Sequence, residues 1–281
     1  MRFSKYHGIG NDFIMFADRA DRLELTPEMV RALCDRHFGI GADGVIRVAP
    51  GRDGAKFFMD YINSDGSIGE MCGNGIRCLA LFAREERMTT SSELKIATRA
   101  GVKTVIVNKD GTVTVDMGAP IFDPAELPIR WSGPDALHAK IELKDEVLEA
   151  TCLSMGNPHA VLWVEDPQRA PVRSLGPIIE HNDAFPNGAN VEFAHVDSPS
   201  RVSMRVWERG SGETMACGTG AAAVAVAARL VGGANERVTV SLPGGDLKIE
   251  WAGSVDKQAP VIMTGPAVKS FEGDVDLAAI V

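Results

Sequence analysis

MACGTGAAAVA, residues 215–225, places a cysteine directly before a G-x-G pair and a run of small apolar residues. MCGNGIRCLALFA, residues 71–83, repeats that order 145 positions earlier, counted from Cys72 to Cys217. The residues after the two glycine pairs, IRCLALFARE and AAAVAVAARL, are apolar on almost every side. A helix that is apolar all round is a buried helix. The recurrence therefore predicts two central helices, each starting at a cysteine, in two similar halves.

Working outward, three further matches keep the same order and nearly the same offset. GNDFIMF from Gly10 pairs with GNPHAVLW from Gly156, and GAD from Gly41 with GAN from Gly188. Asn63 and Glu208 each lie nine residues before their cysteine. A fixed offset across several matches is the form an internal repeat takes. Around these points short apolar runs alternate with turn signals: DFIMFAD, GVIRVA, KFFMDYIN, SELKIAT, VKTVIVN and TVTVDM read as strands, mostly antiparallel. Thr26 followed by Pro27 marks a helix start, with Gly39 closing a helix over MVRALCDRHF. Residues 118–136 hold four prolines and little periodicity, so the domain link is expected there. The expected fold is α/β of the α+β type, with lobes 1–118 and 119–264. Each lobe is a mainly antiparallel sheet wrapped around a buried central helix, and the active site is expected in the cleft between them.

A chain of 281 residues with net charge -9 and a pI near 5.2 has no basic stripe to neutralise phosphates. That argues against a nucleic-acid or anionic-membrane partner. The start MRFSKYHGIG has no signal-peptide core, and no apolar stretch is long enough to span a membrane, so a cytoplasmic location is expected. The five cysteines, Cys34, Cys72, Cys78, Cys152 and Cys217, form no C-x-x-C pair. Neither structural disulfides nor zinc are expected.

A helix N-terminus carries about half a positive charge and unbonded amides, which favour anions. Cys72 and Cys217 are thus expected to have thiol pKa values lowered from about 8.5 toward neutrality, beside amides able to hold a carboxylate. Cys34, Cys78 and Cys152 read as core residues. A single reactive thiol would suggest a nucleophile, with His159 or His7 as base. Two matched thiols suit removal of a proton from one face of a carbon and delivery to the other. A thiol redox protein, a Cys-His hydrolase and a non-catalytic carboxylate-binding module are the alternatives.

HGIGNDF, GIGADG, NSDGSIGEMCGNGIRC, MGNPHAV, GANVEF and WERGSGETMACGTGAAA together resemble the diaminopimelate epimerases over nearly the whole chain. By fold the sequence also looks like the proline racemases and phenazine-biosynthesis isomerases, so another cofactor-independent amino acid racemase or epimerase of the proline racemase type is the first alternative. The resemblance implies a cofactor-independent enzyme that interconverts LL- and meso-diaminopimelate, with Cys72 and Cys217 as acid and base and His159 and Glu208 tuning them. It implies that the amides of Gly73, Asn74, Gly218 and Thr219 hold the carboxylate at the reacting carbon. Asn63, Asn157, Asn190 and Arg209 would grip the distal end, Glu208 would contact a substrate ammonium, and Asn11 would be a further binding position. Many relatives carry Gln where this chain has Gly44, which has no side chain to offer. Segment 265–281 is expected to return to the first lobe by the same resemblance. No metal and no cofactor are expected, and self-association into a homodimer is left open.

Overall fold

The computed structural model describes residues 1–131, 133 and 135–280. Of the expected link, Ser132 and Pro134 lie outside the described residues, as does Val281 of the C-terminal segment. The chain divides into two compact units: Met1–Val115 together with the segment from Thr264 onward, and Asp116–Met263.

The first unit runs β1 (Arg2–Gly8), β2 (Asn11–Ala17), α1 (Pro27–Cys34), β3 (Gly44–Pro50), β4 (Phe57–Asn63), α2 (Gly73–Glu85), β5 (Glu93–Thr98), β6 (Gly101–Val107) and β7 (Val113–Asp116). The second runs β8 (Ala139–Glu142), β9 (Val147–Ser154), β10 (Pro158–Trp163), α3 (Val172–Glu180), β11 (Asn190–Ser198), β12 (Arg201–Glu208), β13 (Gly212–Thr214), α4 (Gly218–Val231), β14 (Arg237–Leu242) and β15 (Gly245–Glu250). The chain leaves the first unit in β7 and returns in β16 (Ile262–Gly265), which leads to β17 (Val268–Asp274).

Strand pairing shows the repeat directly. The first unit pairs in the order β17-β1-β2-β3-β4-β5-β6, and the second in the order β8-β9-β10-β11-β12-β14-β15. The senses match step for step. In each unit only the third and fifth pairings, β2–β3 and β4–β5 or β10–β11 and β12–β14, are parallel. Parallel neighbours need a crossover, usually helical, and these crossovers hold α1 and α2 in one unit and α3 and α4 in the other. The cysteine-led helices are thus the connections their sheets require.

The six runs expected as strands are β2 to β7, but α1 ends four residues before the expected stop. Thr26 caps its start by accepting from Met29 N, with Pro27 in the first turn. At the other end the Asp35 carboxylate accepts from His37 N and Phe38 N, turning the chain out of the helix and leaving Phe38 93% exposed. An aspartate that bonds its neighbours' amides competes with helix propagation.

α2 packs on β1, β2, β3, β4, β6 and β17, and α4 on β9, β10, β11, β12, β14 and β15. Every side chain of α4 from Ala221 to Ala228 is buried. Alanine has the highest helix propensity and leaves the least bulk between a helix and the strands around it. Among the described residues no helix is long and apolar enough to cross a membrane.

Candidate active site

Cys72 and Cys217 are the N-caps of α2 and α4, in nearly the same backbone conformation, φ -133° and ψ 118° against φ -124° and ψ 115°. Each sulfur accepts from the amide three residues on, Gly75 N at 3.4 Å and Gly220 N at 3.3 Å. The cap is where Ser, Thr, Asp or Asn is usual. Here a thiol takes that place at the positive end of a buried helix.

The surroundings of the two sulfurs differ. Cys72 donates to Asn11 Oδ1 at 3.5 Å, and Asn74 Nδ2 donates to the same oxygen at 3.2 Å. The Asn63 side chain donates to Ser67 Oγ within the turn after β4. His7 closes a tight turn by accepting from Gly10 N. At Gly44 an added Cβ would lie 2.7 Å from both Ile62 O and the Tyr61 ring, so that ring occupies the space a glutamine side chain would need.

Cys217 is 4% exposed and lies 3.5 Å from Thr219 Oγ1. Asn157 bridges Thr219 Oγ1, at 3.3 Å, and His159 Nε2, at 3.0 Å. His159 Nδ1 bonds Glu192 Oε1 at 2.7 Å, and neither side chain is exposed. Glu208 accepts from Thr214 Oγ1 and from the Cys217 thiol. Burial raises the Glu208 carboxyl above its ordinary range, and those two bonds offset this only in part. The Asn190 amide donates to Pro158 O at 3.1 Å and accepts from Arg209 N at 3.0 Å, which uses one of its two N–H groups and one of its two oxygen lone pairs. The Arg209 guanidinium is exposed and donates to Asn187 O.

The expected fall in thiol pKa is overturned at Cys217. Burial, followed by the Glu208 and Glu192 carboxylates, pushes this thiol well above its ordinary range, and the bonds from Thr219 and Gly220 do not compensate. The helix end attracts an anion, but two carboxylates in a dry site repel one more strongly. Burial also pushes Cys34, Cys78 and Cys152 up to about 12, as suits inert core thiols.

Three residues at these sites carry no role in the sequence reading: Glu192, Arg77 and Asp43. Glu192 stands inside NVEFA, a run buried at every position, and Arg77 inside the apolar start of α2. A charge in an otherwise apolar buried run is the signal that marks both.

The diaminopimelate epimerase family model matches residues 3–122 and 151–270, one segment in each half of the repeat. The chain belongs to this family. A diaminopimelate epimerase of Synechococcus elongatus is 47% identical over 99% of both chains. In fold, the chain is similar to a PhzF-family phenazine biosynthesis protein of Bacillus anthracis, with TM-score 0.71 at 18% identity over 98% of this chain and 99% of that one. It is also similar to a probable proline racemase of Agrobacterium radiobacter, with TM-score 0.73 at 15% identity over 98% and 93%. Epimerases of this family are isomerases.

Proposed function

We propose that the chain interconverts LL- and meso-diaminopimelate without a cofactor, by two-base proton transfer at one α-carbon. The observation that carries this reading is the pair of cysteines in equivalent backbone geometry, each capping its own buried helix. One sulfur, as thiolate, takes the α-proton and becomes a thiol. The electron pair left on carbon spreads into the neighbouring carboxylate. The other thiol then gives its proton to the opposite face, becoming the thiolate. Helix N-termini stabilise the charge that develops on the carboxylate without reorganising.

In this reading Cys72 and Cys217 are the catalytic pair, and the amides of Gly73, Asn74, Gly218 and Thr219 hold the carboxylate. His159 tunes Cys217 through Asn157 and Thr219, and Glu208 does so directly. The ammonium of the substrate offsets the Glu208 charge, which lowers the Cys217 thiol when substrate binds. Asn63, Asn157, Asn190 and Arg209 meet the distal end of the substrate, Asn190 also holding the backbone of Arg209, and Asn11 completes the site. A substrate lacking the distal charges would leave such polar groups unpaired, so simple α-amino acids are poor substrates. The reading includes a cytoplasmic location, and self-association would be settled by sedimentation.

The test is an early time course in deuterated water with LL-diaminopimelate. Two thiols, each holding its own proton, give label in the meso product and almost none in recovered LL isomer. Equal labelling of both isomers would point to one shared base and sink the mechanism, while no turnover at all would sink the substrate.

A further inference from the structure

Around Cys72 four side chains form one hydrogen-bonded line. Arg77 Nη2 donates to Asn74 Oδ1 at 2.8 Å, Asn74 Nδ2 to Asn11 Oδ1 at 3.2 Å, and Asn11 Nδ2 to Asp43 Oδ2 at 2.8 Å. Guanidinium is a donor only and an ionised carboxylate an acceptor only, so the two amides between them must align head to tail. The amide directions are therefore fixed by chemistry. One consequence concerns the sulfur, because the oxygen of Asn11 must be the atom that faces Cys72.

Both ends of the line are held in place. Arg77 is fully buried and also donates to Gly73 O and Pro266 O, and Gly8 is a glycine where a Cβ would lie 2.9 Å from Nη2. Asp43 also accepts from Asp12 N and Arg36. Of the other charged and titratable groups on the elements packed around α2, Lys5 of β1 and Arg36 pair with Asp12, Arg47 of β3 with Asp60 of β4, and Arg2 of β1 and Lys269 with Glu272 of β17; His7 of β1, Lys103 of β6 and Asp274 of β17 also stand on these elements. Tyr6 bonds Glu85 in the last turn of α2, away from the cap.

We propose that Asp43 is a positioning residue: by pinning the Asn11 amide nitrogen it presents the amide oxygen to Cys72, giving the protonated thiol an acceptor. The proposal rests on Cys72 being one of the two proton-transferring thiols. A bond to the neutral form disfavours the charged one. Released from Asp43, Asn11 is held only by Asn74 and can swing away from the sulfur, so the thiol loses its acceptor and the thiolate is less disfavoured.

The test measures alkylation of Cys72 by iodoacetamide against pH in the full chain, with the modified cysteine identified by mass spectrometry. That readout does not require turnover, so it stands apart from failure of the proposed reaction. Asp43→Ala is expected to move the Cys72 midpoint down by about one pH unit, a roughly tenfold faster reaction at fixed pH below it, with the Cys217 profile unchanged. Asp43→Asn keeps an acceptor oxygen while removing the charge, and is expected to stay near wild type. In an Asn11→Ala background Asp43→Ala should add nothing. An Asp43→Asn profile that follows Asp43→Ala, or an Asp43→Ala shift that persists without Asn11, would show a simple charge effect and overturn the proposal. An unshifted Asp43→Ala profile in folded protein overturns it equally. Should Asp43→Ala fail to fold, Asn11→Ala alone must shift the midpoint down, and an unchanged profile there overturns it too.

Discussion

His159 Nδ1 lies 2.7 Å from Glu192 Oε1, with neither side chain exposed. The second oxygen of Glu192 is buried without a hydrogen-bond partner, and its first would lie 2.8 Å from any Cβ added at Gly220. A buried carboxylate so thinly bonded is costly. It stands beside the thiol whose pKa it helps to raise.

Replacing Glu192 by Gln removes a like charge from the surroundings of Cys217. The sign follows directly: with one repelling carboxylate gone, the thiolate becomes easier to form. In a Cys72→Ser background the thiolate absorbance of Cys217 should rise at lower pH than in the parent. In the otherwise wild-type chain kcat should fall about tenfold or more, because a neutral amide oxygen holds His159 less firmly than the carboxylate does.

The two glycines after the caps should differ in tolerance, although they occupy equivalent positions. A Cβ at Gly75 would meet the flexible ends of Ile46 and Met59 at 2.8 Å and the Cys72 Cβ at an ordinary 3.4 Å, whereas one at Gly220 would meet Glu192 Oε1 at 2.8 Å and the Cys217 sulfur at 3.2 Å. Gly75→Ala is expected to lower the melting temperature by a few degrees with kcat near wild type. Gly220→Ala should lower kcat by about tenfold or more even where the melting temperature is preserved.

Gly44→Gln, which restores the residue common among the resembling sequences, should destabilise this chain. The added side chain needs the space of the Tyr61 ring and crowds Ile62 O. Overpacking of this kind costs about 1–3 kcal/mol. Urea unfolding would read it as a lower midpoint at unchanged slope.

Acid should loosen the first unit through Asp12. Burial alone would raise this carboxyl, but bonds and charges from Arg36 and Lys5 hold it at about 2. A depressed carboxyl stabilises the fold above its unfolded value of about 3.9, and that contribution is lost as pH falls through about 2. Asp12→Asn should be less stable than wild type at neutral pH, with a flatter decline in urea midpoint from about pH 4 to 2.

The repeat and the cap cysteines were legible because they rest on local patterns: a periodicity, a glycine pair and a fixed offset. β1 was harder to read, since RFSKYHG alternates poorly and buries Lys5 against Asp12. The early end of α1 was hidden because Asp35 looks like any helical charge until its bonds to two amides are seen. The raised pKa of Cys217 could not be read from spacing at all. It depends on Glu192 and Glu208, which lie 25 and 9 positions before it and are brought beside it only by the sheet. Nor does spacing show that the Asn190 amide donates to Pro158 O and accepts from Arg209 N, bonds that fix its orientation.

β17 pairs with β1 in the place that β8 takes beside β9. During synthesis the earlier unit therefore waits for an edge strand made after the whole of the later one. On the ribosome the second unit can close first, and a nascent first unit stands with β1 uncovered until β17 has emerged.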